Sequence, residues 1–241
     1  MSTRALTATA HRVALDLRDD RRTTALLLVV PVALMTLLRF VFDGGDTFDR
    51  IGGPLLGIFP LLSMFLVTSI AMLRERTTGT LERLLTLPIG KLDILLGYAL
   101  AFAAVAVVQV GLLVTVSLGL LGLDLEGATW AVLALGILNA VLGMSMGLFV
   151  SAFARTEFQA VQFLPTFLLP QFLLCGLFTA REDMASALEK VSDVLPMTYA
   201  YDALDRVTHG LGGAAGSTLV VLGFTAAALC CGAATLRRRT P

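Results

Sequence analysis

The reactive side chains of this chain are few and far apart. The segment GMSMG, residues 143–147, has the G-x-S-x-G spacing that presents a serine nucleophile in some hydrolases, and His11 and His209 are the two histidines. Such a serine works on a sharp strand-to-helix turn with a histidine base nearby. Ser145 lies instead in the middle of a long apolar run, far from either histidine in the sequence. We therefore expect no serine catalysis.

Metal and nucleotide sites are also poorly supported. The cysteines Cys175, Cys230 and Cys231 lie in apolar runs and form no ligand spacing with the histidines. The Gly90-Lys91 pair is followed by leucine, where a phosphate-binding loop has serine or threonine. We expect a chain with no catalytic site, no metal ion and no cofactor of its own.

Hydropathy places the chain in a membrane. Hydrophobic residues make up 56% of it, charged residues 15%, and the mean hydropathy is +0.84, whereas soluble domains carry about 25% charged residues. Apolar runs long enough to cross a hydrocarbon core as helices recur along the sequence. We predict one all-α polytopic domain over residues 1–241 with six spans. These are Thr23–Phe42, Ile51–Leu73, Ile94–Leu121, Thr129–Phe153, Phe158–Ala180 and Ser217–Leu236.

The basic residues are divided unevenly between the two sides. With the N-terminus inside, the inner segments hold thirteen Lys and Arg residues and the outer segments four. Basic segments near spans stay in the cytoplasm. We therefore expect both termini in the cytoplasm. We also expect a multi-pass protein of the cell membrane of a prokaryote.

Two spans carry packing signals. In the fourth span Gly136, Asn139, Gly143 and Gly147 share one helix face, where another helix can approach closely. In the fifth span Pro165 and Pro170 must break or kink the helix. Either the break lies beside a translocation route, or it is a packing kink.

Polar segments lie outside the spans on both sides. The cytoplasmic leader, residues 1–22, has an amphipathic pattern that fits an interfacial helix, although a solvated leader that only sets topology explains its arginines equally well. The extracytoplasmic segment, residues 181–216, is divided by Pro196 and predicts two short helices that pack on the outer membrane face or dip partway in.

The stretch RERTTGTLERLLTLPIGKLD, residues 74–93, interrupts the apolar runs with four basic and three acidic residues. Its LERLLTL core alternates apolar and polar residues at helical spacing, entered through Gly79 and ended by Pro88. The pattern predicts a short amphipathic helix on the cytoplasmic side. It is either an interfacial anchor or a helix that docks on a soluble partner.

The same stretch resembles the signature loop of type-2 ABC transporter permeases. The six spans, the cytoplasmic termini, the proline-broken segment FQAVQFLPTFLLPQFLLCGLF and the outer segment VSDVLPMTYAYDALDRVTHG occur in the order found in that family. The likeness covers nearly the whole chain and is strongest to the drug-exporter branch. It implies that residues 74–93 hold a coupling helix for a separate ATPase subunit.

The resemblance also implies roles for individual residues. Glu75, Arg76, Thr80, Glu82 and Arg83 would make polar contacts to the ATPase. Leu81, Leu84 and Leu85 would hold the helix against its own bundle or the ATPase groove. Arg74 and Gly79 complete the motif. ATP and Mg²⁺ would bind to two copies of the ATPase, and a second permease, identical or homologous, would complete a dimer in the lipid membrane.

An amphiphilic, drug-like or lipid-like substrate would be exported by alternating access. We assign the substrate path to neutral amides and to aromatic residues of the broken span. These are Gln109, Asn139, Phe158, Gln162, Phe163, Phe167 and Phe172. Interhelical hydrogen bonds and packing are their alternative roles.

Other classes of membrane protein fit less well. The deep parts of the spans lack a carboxylate, which disfavours a proton-coupled secondary transporter. A lipid-modifying enzyme lacks a nucleophile, base or metal set. A permease relative that acts as a sensor or resistance scaffold stays open, and nothing in the sequence points to nucleic acid.

Overall fold

The computed structural model describes residues 3–43, 45–86 and 90–235, and every regular element in those ranges is helical. The helices are α1 Thr3–Asp19, α2 Arg21–Val41, α3 Asp46–Thr77, α4 Thr80–Thr86, α5 Lys91–Gly119, α6 Thr129–Val150, α7 Glu157–Phe163, α8 Leu169–Leu174, α9 Ser186–Ser192, α10 Pro196–Thr208 and α11 Ala214–Thr235. A π-helical turn, Leu164–Leu168, joins α7 to α8, and a 3₁₀ turn covers Arg181–Asp183.

Five of these helices are long and apolar enough to cross a membrane: α2, α3, α5, α6 and α11. They correspond to predicted spans one, two, three, four and six. The main difference is α3, which has 32 residues and extends beyond the predicted Ile51–Leu73 at both ends. Acidic residues in its first turn and arginines in its last turn complement the helix dipole, so the helix continues where the sequence stops being apolar.

The fifth predicted span is divided into three short pieces. Residues 157–174 are helical throughout, but Pro165 lies in the π-helical turn, where the Leu169 amide bonds to the Leu164 carbonyl. The predicted change in the backbone ladder is therefore present, since proline has no amide to donate. The predicted end at Ala180 is wrong, because α8 stops at Leu174.

The predicted glycine face of α6 packs against α3. A methyl group at Gly143 would overlap the Leu61 carbonyl, and one at Gly147 would overlap Thr68. The Thr68 hydroxyl also lies 3.3 Å from the Met144 carbonyl of α6. Both glycines also face main-chain carbonyls of α3, Leu61 for Gly143 and Phe65 for Gly147, so the two backbones approach closely and α3 and α6 form the centre of the bundle.

The segment between α8 and α11 forms the two short helices predicted for it. Pro196 starts α10, whose Ala200, Ala203 and Leu204 are buried against the bundle. The Asn139 amide of α6 donates to the Ala200 carbonyl over 3.2 Å. Thus α10 enters the end of the bundle opposite to α4. The last helix, α11, begins at Ala214, within the predicted outer segment 181–216.

Candidate functional site

The turn between α3 and α4 is built by threonines and one glycine. The amide and hydroxyl of Thr78 both donate to the Arg74 carbonyl, at 2.9 and 2.8 Å, and end α3. Gly79 then takes a φ of +73°, which a residue with a side chain rarely adopts. The Arg83 amide donates back to the Gly79 carbonyl over 3.1 Å and starts α4. The sequence RTTGT therefore defines the direction in which α4 leaves the bundle.

The seven-residue α4 has one side toward the bundle and one toward solvent. Leu81 is 5% exposed and belongs to the main hydrophobic core, whereas Arg83 and Thr86 are exposed. The Thr80 hydroxyl lies 3.1 Å from that of Thr78. The predicted amphipathic helix is present at these positions. The side chains of Glu82, Leu84 and Leu85, and all of residues 87–89 with Leu87 and Pro88, lie outside the described residues.

Glu75, just before this turn, connects α3 to α1. Its Oε1 accepts a hydrogen bond from Arg12 over 3.1 Å, and Arg12 also donates to the Tyr98 hydroxyl of α5. Burial opposes the charge of Arg12, but Tyr98 and Glu75 outweigh it and raise the pKa of the guanidinium. Asp16, one turn further along α1, is 3.5 Å from Arg12. These contacts hold α1 across α3 and α5.

Arg74 connects the same turn to two other helices. It donates to both oxygens of Glu157 at the start of α7, over 2.7 and 3.2 Å, and lies 3.9 Å from Asp20 between α1 and α2. These side chains are exposed, so each pair contributes little to stability by itself. Their bidentate geometry still sets the position of α7 relative to the end of α3.

Arg76 connects the same turn to α11. Its Nη2 donates to the Thr235 hydroxyl at the end of α11 over 3.3 Å, and its Nε is buried without a partner among the described residues. Three consecutive residues thus connect the base of α4 to α7, α1 and α11. We call Arg74, Glu75 and Arg76 with their partners the junction. A displacement of α4 would reach most of the bundle through it.

A comparison with known protein families identifies the family of the chain. Residues 4–207 match the family described as "ABC-2 type transporter", which is most of the chain. The chain belongs to the ABC-2 type transporter family. Its five long apolar helices make it a multi-pass membrane protein, and the resemblance to this family is confirmed.

Several curated relatives agree with this membership. The inner membrane transport permease YhhJ of Escherichia coli (strain K12) is 33% identical over 135 residues, covering 55% of this chain and 36% of YhhJ. The linearmycin resistance permease protein LnrN of Bacillus subtilis (strain 168) is 26% identical over 165 residues, covering 68% and 42% of the two chains. The ABC transporter G family member 20 of Dictyostelium discoideum is 26% identical over 147 residues, covering 61% and 20%. The matches thus span less than half of each relative.

The permease has a cavity of about 470 Å³ beside the junction, between α1, α2, α3 and α5. One part of its lining is apolar, with Leu66, Ile70 and Phe102, and another part carries Asp16 and Asp20 together with junction residues. A cavity of this size and mixed lining suits an amphiphilic small molecule.

The seven predicted substrate-path residues do not meet in one place within the described chain. Gln109 and Asn139 are buried and donate to the Leu27 and Ala200 carbonyls, as interhelical hydrogen bonds require. Of the broken span's residues, Gln162 and Phe163 line an open groove of about 370 Å³ beside the π-helical turn. Phe158 and Phe167 are exposed, and Phe172 packs edge-on against Phe178 at 5.3 Å. Their role in transport stays a prediction.

The serine considered for catalysis is embedded in the bundle. Ser145 is fully buried in α6 and donates to the Val141 carbonyl over 2.6 Å. Among the described residues, no three His, Cys, Asp or Glu side chains are grouped in a way that could hold a metal ion.

Sequence reasoning found the junction residues but missed their partners. Arg12, Tyr98, Glu157 and Thr235 lie between 63 and 159 residues away from the residues they contact. Glu75 and Arg76 were predicted to face the ATPase, whereas in this structure both side chains contact the chain itself.

Proposed function

We propose that this chain is the permease subunit of an ATP-driven exporter, and that α4 is its coupling helix. The observation that carries the proposal is the junction. It connects a short helix, exposed at Arg83, to three separate parts of the bundle within three residues. A helix that served only as an interfacial anchor would not need these connections at its base.

The proposal also includes the orientation of the chain in the membrane and its partner subunits. The excess of basic residues on the α4 side favours a cytoplasmic position for α4 and for both termini. Two ATPase subunits would bind ATP and Mg²⁺, and a second permease, identical or homologous, would form the other half of the pathway. In this arrangement Arg83 and Thr80 meet the ATPase, while Glu75 and Arg76 hold the base of α4.

The substrate we propose is amphiphilic and leaves from the cytoplasm or the inner leaflet. The mixed lining of the 470 Å³ cavity supports this, and so do the names of two relatives, the linearmycin resistance permease and the probable multidrug ABC transporter permease YbhR of Escherichia coli (strain K12). The predicted path residues beside the π-helical turn, Gln162 and Phe163, would contact the substrate at a different stage.

Reversing one exposed charge on α4 tests the proposal. Arg83→Glu should reduce co-purification of the cognate ATPase by roughly tenfold. The reason is that a negative charge at this position would repel the negatively charged group of the ATPase that Arg83 is proposed to contact. Lys190→Glu is the matched control, since Lys190 is equally exposed on α9, at the other end of the bundle. Thermal unfolding of the permease should be unchanged in both variants.

Two outcomes would contradict the proposal. Normal ATPase binding by Arg83→Glu would indicate that α4 is only an interfacial anchor. If no ATPase accompanied even the wild-type chain, transport in vesicles driven by an ion gradient alone would indicate a secondary transporter, and no transport would indicate a sensor or resistance scaffold.

A further inference from the structure

A second amphiphilic surface lies on the other side of the corner between α1 and α2. It is a groove of about 520 Å³ between the end of α1, the start of α2 and the middle of α5. Ala14 and Leu17 of α1, Leu28 of α2, and Ala104 and Val108 of α5 form its apolar walls. Arg18 and Arg21 line its polar end. We call it the corner groove.

The corner that shapes this groove is fixed by local hydrogen bonds. Asp20 accepts from the Thr23 amide over 3.1 Å and from its hydroxyl over 2.6 Å, so it caps α2. The Thr24 hydroxyl donates to the Leu17 carbonyl of α1 over 2.6 Å. Gly97 of α5 allows α1 to pack closely at Thr9, since a methyl group there would meet the threonine side chain. The groove is therefore a built feature of the fold.

The two arginines of the groove differ from Arg12 and Arg74. Arg12 and Arg74 are paired with carboxylates, whereas Arg18 and Arg21 are exposed and make no ion pair or hydrogen bond with any residue that the structure describes. No carboxylate lines the groove: of the three acidic residues of the corner, Asp16 and Asp20 line the 470 Å³ cavity, and Asp19 lines neither. The polar end of the groove is thus positively charged.

The position of these charges points to the membrane interface. Arg21 is the first residue of the apolar helix α2, so the two cations lie where headgroups meet the hydrocarbon region. From Ala101 to Val108 the α5 wall extends about 10 Å along its axis into the apolar zone. The Val108 side chain is 58% exposed at the far end, so the groove stays open toward lipid.

We propose that the corner groove binds one anionic phospholipid of the leaflet on the α4 side. The phosphate of the headgroup would accept hydrogen bonds from Arg18 and Arg21, whose planar guanidinium groups suit phosphate oxygens. One acyl chain would lie along Ala104 and Val108. A zwitterionic lipid has the same tails but no net charge for the second arginine to neutralise, so the groove selects for charge.

Bound lipid would also affect the neighbouring junction. It would contact α1 and α5 together, and α1 carries the Arg12 that pairs with Glu75. Anionic lipid should therefore hold α1 in the position seen here.

Native mass spectrometry of the delipidated permease in its purified complex tests the proposal. The complex is titrated with phosphatidylglycerol and, separately, with phosphatidylcholine of the same acyl chains. We expect one phosphatidylglycerol to bind tightly to each permease. The variant with Arg18→Gln and Arg21→Gln should lose on the order of 30-fold in its affinity, and Arg22→Gln, an exposed neighbour outside the groove, should keep it.

A second variant separates lipid binding from loss of fold. Ala104→Phe fills the apolar wall at an exposed position without changing any charge, and it too should weaken phosphatidylglycerol binding. Equal binding of the two lipids would overturn the proposal, as would an equal loss in Arg22→Gln, which would indicate a nonspecific basic surface. Displacement of the lipid by millimolar inorganic phosphate would also overturn it, because the groove would then be a phosphate site.

Discussion

Replacing Glu75 by glutamine should loosen α1 while the rest of the bundle stays folded. The Glu75 side chain is only 15% exposed and that of Arg12 33%, so their 3.1 Å contact is partly shielded from water. A hydrogen bond to a charged group contributes about 1.5–3 kcal/mol. Since Arg12 keeps Tyr98 and Asp16, and glutamine keeps one acceptor oxygen, we expect the lower value, about 1.5 kcal/mol.

Hydrogen exchange measured by mass spectrometry can detect this change in α1 alone. A loss of 1.5 kcal/mol in local stability corresponds to roughly tenfold faster exchange of the α1 amides. Peptides from the middle of α5 serve as the internal standard. Asp16→Asn is the matched control, because that carboxylate is 61% exposed and lies 3.5 Å from Arg12, and it should change exchange by about twofold or less.

A double-mutant cycle shows whether the contact itself is responsible. Arg12→Met and Glu75→Gln should each speed exchange in α1, and the two together should cost about 1 kcal/mol less than their sum. Wild-type exchange in Glu75→Gln, or simple additivity in the cycle, would refute the reasoning and leave the buried Val13 as the main attachment of α1.

Three further predictions concern packing, capping and the broken helix. Gly143→Val should destabilise the permease by about 3 kcal/mol, because the valine side chain meets a main-chain oxygen of α3. Gly111→Ala has open space around it and should slightly stabilise α5. The melting temperature in detergent measures both effects. Asp20→Ala should cost about 1 kcal/mol at pH 7 through loss of the α2 cap. Hydrogen bonds from the Thr23 hydroxyl and amide lower the pKa of the Asp20 carboxyl in the folded state. The stability that Asp20 contributes is therefore fully present above its pKa in the unfolded chain and is lost as the pH falls through its pKa in the folded chain. The melting temperatures of the wild type and of Asp20→Ala should converge in acid. Replacing Pro165 and Pro170 with alanine should remove the π-helical turn and alter transport, with ATPase co-purification unchanged; unchanged transport would make the turn a packing feature only.

Hydropathy predicted α2, α5, α6 and α11 to within a few residues, for a clear physical reason. A helix in lipid must be apolar over about 20 residues, and a run of that length can be recognised from the sequence alone. The same rule found α3 but not its full length, since that helix begins at Asp46 and ends at Thr77. Helical turns outside the lipid need no apolar residues, so their charged ends were interpreted as loop.

The junction shows a different limit. The spacing in RERTTGTLERLL was enough to predict a turn and a short amphipathic helix, because both depend on neighbouring residues. Which arginine pairs inward depends on where α1, α7 and α11 lie. Arg74 and Arg83 have the same chemistry and are both exposed, yet Arg74 bonds to Glu157, whereas the Arg83 side chain bonds to no residue that the structure describes. Only the packing of distant helices distinguishes them.

The length of α3 suggests how a displacement at α4 would spread. Its 32 residues extend about 48 Å, well beyond a hydrocarbon core of about 30 Å. Both internal prolines, Pro54 and Pro60, lie in the half near α10, whereas residues 61–77 contain none and contact the glycine face of α6 backbone to backbone. This half of α3 and α6 should therefore move as one stiff unit. Because the junction holds the end of that unit, the α3–α6 contact would determine how far a displacement reaches, and the seven residues of α4 would need only to supply the surface for the proposed ATPase.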